Sequence, residues 1–325
     1  MLKLSSPAAR AALTMLALAI PDAVLAQDYP SRPITMLVGF PPGGSTDAAA
    51  RILQDPMSQA LGQQIIIDNR GGAGGTTAAA QAANAAPDGY TLLFTVNASL
   101  TMNKFMQKNY PIDPKTALEP VALANDVVLV LAVNSALPVN SVAELIDYAK
   151  KNPGKLSYGS SGVGSGHHIC GELLKQKTGI DMVHVPYRGG GPAIQDLVAG
   201  QIQVSFGTLP AILPHVASGK IRIIAAAEKK RIPELPDLPT IDETIPGVIN
   251  IGWAGLLAPQ GTPKPIVDKL NQVMNTALKQ PAVIEKLGVQ GLHPINATPA
   301  EFGKLISDEI DYWAKVIPSI GISPE

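Results

Sequence analysis

Chemistry in this chain would centre on four clusters of glycine: Gly43-Gly44, Gly71 to Gly75, Gly159 to Gly166 and Gly189 to Gly191. Each follows a short apolar run and precedes a helix-forming stretch. Glycine lets a ligand approach the backbone closely. The first N–H groups of a helix lack internal partners and carry partial positive charge. Ser45, Thr46, Thr76, Ser99, Ser160, Ser161 and Ser165 add small hydroxyls nearby. The combination predicts a neutral, donor-rich pocket for carboxylate groups. One helix end stabilises an exposed anion by about 0.3–1 kcal/mol, and a partly buried one by up to ~2 kcal/mol. A micromolar ligand needs about 8 kcal/mol. Several ends must therefore converge, and two lobes must close over the ligand. Taken singly, each loop is also an ordinary turn and each hydroxyl an ordinary helix cap.

Other chemistry is weak. Neither Gly72 to Gly75 nor Gly162 to Gly166 completes a dinucleotide fingerprint, and no P-loop lysine or nucleophile elbow is present. His168 and Glu172 lie four apart, next to His167, but two ligands without a third make no metal site. Cys170 reads as a small buried residue and Asp47 as a helix-start carboxylate. Arg70 and Arg188 border glycine loops, where each could pair with an acid or form a surface salt bridge. Trp253 and Phe40 read as core or pocket wall, and Lys229-Lys230-Arg231 as a solvated loop.

The elements that must position these loops alternate. Ile34 to Phe40, Ile65 to Ile67, Tyr90 to Val96, Val127 to Val133, Leu156 to Tyr158, Met182 to Pro186, Ile202 to Phe206, Ile221 to Ala227 and Ile251 to Leu257 read as strands. Helices are expected over Ala48 to Leu61 (split or kinked at Pro56), from Thr76 to about Ala86, from Ser141 through Lys151, over His167 to Lys177, from Pro192 onward, and at about 263–279 and 299–316. Residues 231–248 read as surface loop. Such alternation predicts an α/β fold with mainly parallel sheets. In open parallel sheets ligands bind outside the carboxyl ends of the strands, where all these glycine loops lie.

Composition narrows the classes. Among 325 residues, 46% are hydrophobic and 16% charged, which excludes a disordered chain. A formal net charge of −1 and 4% aromatics exclude a nucleic-acid binder. One cysteine excludes an intrachain disulfide. Residues 1–26 read as a cleavable export signal: Lys3 and Arg10 give a positive start, Ala11 to Ile20 an apolar stretch, and Val24-Leu25-Ala26 a cleavage site. The longest later apolar run, Val127 to Val133, is far too short to cross ~30 Å of hydrocarbon. A periplasmic location is expected.

The sequence resembles the Bug-type receptors, the extracytoplasmic solute-binding components of tripartite tricarboxylate transporters. The resemblance rests on Tyr29 to Ile34, Phe40 to Asp47 (FPPGGSTD), Asp68 to Gly75 (DNRGGAGG), Pro87 to Leu92, His184 to Ala193 (HVPYRGGGPA), Leu235 to Thr240 and Trp253 to Pro263, in that order and spacing. It implies a two-lobed periplasmic-binding-protein fold (type II-like) with the ligand in the interlobe cleft. One lobe would be 27–124 plus 249–325, the other 125–248. It also implies that the first two glycine loops grip a carboxylate, with 159–167 and 187–191 contributing from the second lobe. Motif and resemblance together give a ligand-contact set of Phe40, Gly43, Gly44, Ser45, Thr46, Asp47, Gly74, Thr76, Asn97, Ser99, Ser160, Ser161, Gly164, Ser165, His167, Tyr187, Gly189 and Gly207. Gly207-Thr208 stands where many such receptors carry Asp-Asn, which disfavours ligands with an ammonium group. Gly71 replaces a frequent proline.

The expected role is a monomeric receptor that captures a small organic acid and delivers it to membrane transporter subunits, without catalysis, metal or cofactor. A secreted α/β enzyme using Asp47 or His167 as base, and a sensor docking on a membrane kinase, are the alternatives.

Overall fold

A computed structural model describes residues 29–249, 252–320 and 324; the expected export signal lies outside them. The chain runs β1 (Ile34–Val38), α1 (Ser45–Leu61), β2 (Ile65–Asn69), α2 (Thr76–Ala83), β3 (Thr91–Val96), β4 (Leu118–Val127) and β5 (Leu129–Asn134). It continues through α3 (Val142–Lys151), β6 (Leu156–Ser160), α4 (Gly166–Thr178), β7 (Met182–Pro186), α5 (Gly190–Ala199), β8 (Val204–Thr208), α6 (Leu209–Ala217) and β9 (Ile221–Ala226). It closes with β10 (Gly252–Pro259), α7 (Lys264–Ala277), α8 (Pro281–Val289) and α9 (Pro299–Ser319).

The strands form two five-stranded sheets, ordered β2-β1-β3-β10-β4 and β7-β6-β8-β5-β9. In the first, β1 runs parallel to β2 and β3, while β10 is antiparallel to both β3 and β4. In the second, β6 runs parallel to β7 and β8, while β5 is antiparallel to β8 and β9. Each sheet therefore holds four strands of one direction and one reversed strand inside it. Strands covered on both faces read as continuous apolar runs, and the alternation of the core shows why. Leu129, Leu131 and Val133 enter one cluster; Val128, Val130 and Ala132 enter another on the opposite face. Ile34, Met36 and Val38 lie beneath α1 and α7, with Leu37 on the other side.

Several elements differ from expectation. Helix α1 begins at Ser45 with Gly44 as its cap, so Ser45, Thr46 and Asp47 lie inside its first turn. It runs through Pro56 without a break, because Ala49, Ala50, Leu53, Met57 and Leu61 all bury on one face. Strand β4 and helices α6 and α8 are additional to the sequence reading. Helix α5 starts at Gly190, two residues before Pro192. Helix α9 starts in a capping box between Thr298 and Glu301. Its early residues Phe302, Ile306 and Ile310 pack on the first sheet, while Trp313, Ile317 and Ile320 enter the core of the second. Among the described residues no helix is long and apolar enough to cross a membrane.

Candidate functional site

The glycine loops after β1, β2, β6 and β7 meet around one cavity of about 390 Å³. From the first sheet's side it is lined by Phe40 to Thr46, Gly74, Val96, Asn97, Ala98, Gly252 and Gln290. From the second come Ser161, Ser165, Gly166, His167, Arg188 to Pro192, Thr208, Pro210 and Ala211. Val127 and Leu129, where the chain changes sheet, complete the wall. Four helices begin here: α1 at Ser45, α4 at Gly166, α5 at Gly190 and α6 at Leu209. Their unpaired amides and dipoles favour an anion. No carboxylate lines the cavity among the described residues.

On the first side, polar side chains hold the loops from behind. Asp47 accepts from the Gly43 amide and Arg51 Nε on Oδ2, and from Asn69 Nδ2 on Oδ1, each at 2.9 Å. Burial pushes the Asp47 carboxyl up, but the bonds from Arg51, Gly43 and Asn69 outweigh it and hold the group below its usual range. Asp47 thus fixes the 40–44 loop and does not line the cavity. The second loop needs glycine. Gly75 has φ +93°, and a Cβ there would come 2.2 Å from Ser99 Oγ. Ser99 donates to the Gly74 carbonyl at 2.8 Å, and Asn103 Nδ2 to the same oxygen at 3.1 Å. Thr76 Oγ1 accepts from Gln107 at 3.1 Å. Ser99 and Thr76 therefore shape the loop and lie outside the lining.

The second side is built differently. Ser160 bonds His184 Nε2 at 2.7 Å, and His184 stacks on His168 with ring centres 4.1 Å apart. Ser165 caps α4 by accepting from the His168 amide, while its hydroxyl donates to the Gly162 carbonyl at 2.7 Å. A Cβ at Gly164 would lie 2.1 Å from Asn103 Oδ1, so this loop closes directly onto the first side. Tyr187 donates to Asp196 at 2.7 Å, and Gly207 faces Ile212, where a Cβ would meet Cδ1 at 2.7 Å. Ser160, Gly164, Tyr187 and Gly207 are structural in this arrangement and outside the lining. Their small or polar character fits two roles, which is why the sequence did not separate them. Phe40, Gly43, Gly44, Ser45, Thr46, Gly74, Asn97, Ser161, Ser165, His167 and Gly189 do line it.

His167 is 8% exposed, and its Nδ1 is buried with no protein partner. Burial lowers its pKa to about 4, so the ring is neutral at ordinary pH. Arg188 brings a cation to the cavity; among the described residues it pairs with no carboxylate, whereas Arg70 is held by Asp68 at 2.9 Å. Glu309, unmarked in the sequence, sits behind the wall. Burial pushes its carboxyl up to about 7 against bonds from Trp253, Thr101 and Asn97. Asn97 is the link between that buried group and the cavity. Burial also pushes the Cys170 thiol up, away from nucleophile chemistry. Glu172 is engaged by Tyr158 and Lys175, and no group of three or more metal-ligating residues occurs among the described residues.

Comparison with known proteins agrees with this architecture. The family model described as tripartite tricarboxylate transporter family receptor matches residues 49–322. The chain is 38% identical over 300 residues to protein BugT of Bordetella pertussis, covering 92% of each. Among solved structures it is similar to a protein of R. palustris with adipate (37% identity, TM-score 0.87, covering 91% of this chain and 100% of that one). It is also similar to MatC of Rhodopseudomonas palustris with bound malate (34% identity, TM-score 0.83, covering 89% and 100%). The periplasmic binding protein BugD superposes with TM-score 0.84 at 35% identity, covering 91% and 100%. Fold, glycine loops and family match together establish that the chain belongs to the receptor family of the tripartite tricarboxylate transporters, in its Bug-type branch.

Proposed function

We propose that this protein captures a small carboxylate between two lobes and presents it to the membrane subunits of a tripartite transporter. The observation that carries the reading is the cavity itself. Strand-end loops and helix starts of both sheets face it, and no carboxylate among the described residues opposes an incoming anion. Adipate and malate, bound in the two R. palustris structures, are carboxylates of the size such a cavity suits. The lobes are 27–124 with 249–325, and 125–248. Sheet membership supports this division to within a few residues, since β4 ends at Val127 and β5 begins at Leu129. The protein works as an exported monomer in the periplasm and catalyses nothing: among the described residues His167 Nδ1 has no hydrogen-bond partner, and Asp47 is bound into its own loop.

The test is a thermal-shift screen followed by calorimetry with monocarboxylates, dicarboxylates, tricarboxylates, aromatic acids and amino acids. A ligand that binds only the native state raises the melting temperature. Some acids should do so, unmodified after recovery, and amino acids should not. A panel with no stabilising acid, or chemical turnover of one, would overturn the reading.

A further inference from the structure

Behind the cavity wall lies a carboxyl that gripping an acid does not require. Glu309 stands on α9 beside Ile310, which packs in the first core, and one turn before Trp313, which enters the second. Its Oε1 accepts from Trp253 Nε1 at 2.8 Å, and its Oε2 meets Thr101 Oγ1 at 3.0 Å. Asn97, which lines the cavity, gives it a third bond.

The Thr101 hydroxyl is fully buried and has a second acceptor, the Asn97 carbonyl, also at 3.0 Å. A hydroxyl holds one hydrogen and can accept as well as donate. With Glu309 ionised, Thr101 donates to the carboxylate. With Glu309 protonated, its O–H donates to Thr101, whose own hydrogen turns to the Asn97 carbonyl. The proton can therefore come or go without orphaning a buried group. Burial already moves the titration of this carboxyl up to about 7.

Charged groups on the elements packed against α9 have other partners. Lys104 pairs with Asp113, Asp126 with His293, and Lys264 with Asp268. Glu119 accepts from Gln260, and Lys269 donates to the Tyr29 carbonyl. On α9 itself, Lys304 pairs with Asp308 and Asp311 with Lys115. The cavity wall of the second lobe brings Arg188 and the neutral His167 ring. An anion in the cavity faces Glu309 across Asn97, and two like charges so placed disfavour each other.

We infer that Glu309 is a positioning residue that ties capture of an acid to uptake of a proton from solvent, relayed through Thr101 and Asn97. This rests on the carboxylate-receptor reading and gives it a direction with pH: acids bind more tightly as pH falls.

Calorimetry on the mature chain would use adipate, malate, benzoate or whichever acid of the screen binds, from about pH 6.5 to about 8.5, where these acids stay ionised. The Kd should rise about threefold or more across that range, and near pH 7 titrations in phosphate and in Tris should differ by the heat of about half a proton taken up. Glu309→Gln copies the protonated state, because its amide can donate to Thr101 while its carbonyl accepts from Trp253. Its affinity should be flat with pH and within about twofold of the wild-type value at the acid end. Glu228, which titrates at about 8 in a different pocket, is the control: Glu228→Gln should keep the proton uptake. Should Glu309→Gln not fold, that uptake, present in wild type and in Glu228→Gln, decides alone. No uptake in the wild type, or a pH dependence that persists in Glu309→Gln, would overturn the inference and leave the receptor reading standing. No binding of any acid at any pH would bring down the receptor reading itself.

Discussion

Arg70 and Arg188 stand at matching places, just beyond the edge strands β2 and β7, yet Arg70 pairs with Asp68 while Arg188 has no carboxylate partner among the described residues. The contrast extends to their surroundings. On the first side, Asp47, Asn69, Ser99 and Asn103 give hydrogen bonds to, or accept them from, the loops that line the cavity. On the second, Arg188 and His167 line it; among the described residues Arg188 has no carboxylate partner and His167 Nδ1 no hydrogen-bond partner. A rigid amide cradle recognises what all carboxylates share. Side chains that hold no loop in place can change without disturbing the cradle.

The largest effect should come from breaking the cradle. Gly75→Ala forces a Cβ against Ser99 at a left-handed backbone position, which costs roughly 1–3 kcal/mol in strain. Affinity for every acid should fall about a hundredfold, ~2.7 kcal/mol, with the far-ultraviolet spectrum intact. Retained binding would show that the second lobe grips alone. Gly164→Ala blocks the contact with Asn103 across the cleft. It should weaken all acids by about tenfold, ~1.4 kcal/mol, and increase the radius of gyration of the liganded protein in solution scattering. Ser99→Ala removes one of two bonds to the Gly74 carbonyl, worth about 1 kcal/mol. A roughly fivefold loss, equal across acids, is expected; a loss that depends on the acid would erase the distinction between the lobes.

The smallest effect is on stability with pH. Burial, reinforced by Asp126, pushes the Glu228 carboxyl up to about 8. The native state then holds that proton more tightly than the unfolded chain. Its contribution is full below the ordinary carboxyl range and is lost as pH rises through about 8. His184, lowered to about 4 mainly by burial, acts oppositely: its contribution is present above about 6.5 and lost as pH falls through 4. Glu228→Gln should flatten the decline of melting temperature between pH 5 and 8. An unchanged slope would place the titration elsewhere.

The parallel strands were legible because β-branched runs such as Ile65-Ile66-Ile67 announce them. Strand β4 was not, since Glu119, Pro120, Asn125 and Asp126 break its apolar run. Pairing with β10 makes it a strand, and that is a long-range event. Helix α6 hid behind Pro210 and Pro214. The glycine loops were readable as a site, but their division of labour was not. Whether a serine faces ligand or braces a loop depends on what folds behind it, as Gly74 does for Ser99. Val96, Leu129, Pro210 and Gln290 come to the cavity from distant segments with no local mark.

Strand β10 lies between β3 and β4, so those two strands never touch along their length. The strands of the second sheet all come from one uninterrupted stretch, β5 through β9, although its core also takes Trp313, Ile317 and Ile320 from α9. The first must wait for a segment made more than a hundred residues after β4, leaving two unsatisfied strand edges meanwhile. The sheet whose first strand comes earlier in the chain is therefore the one whose strand order is completed later.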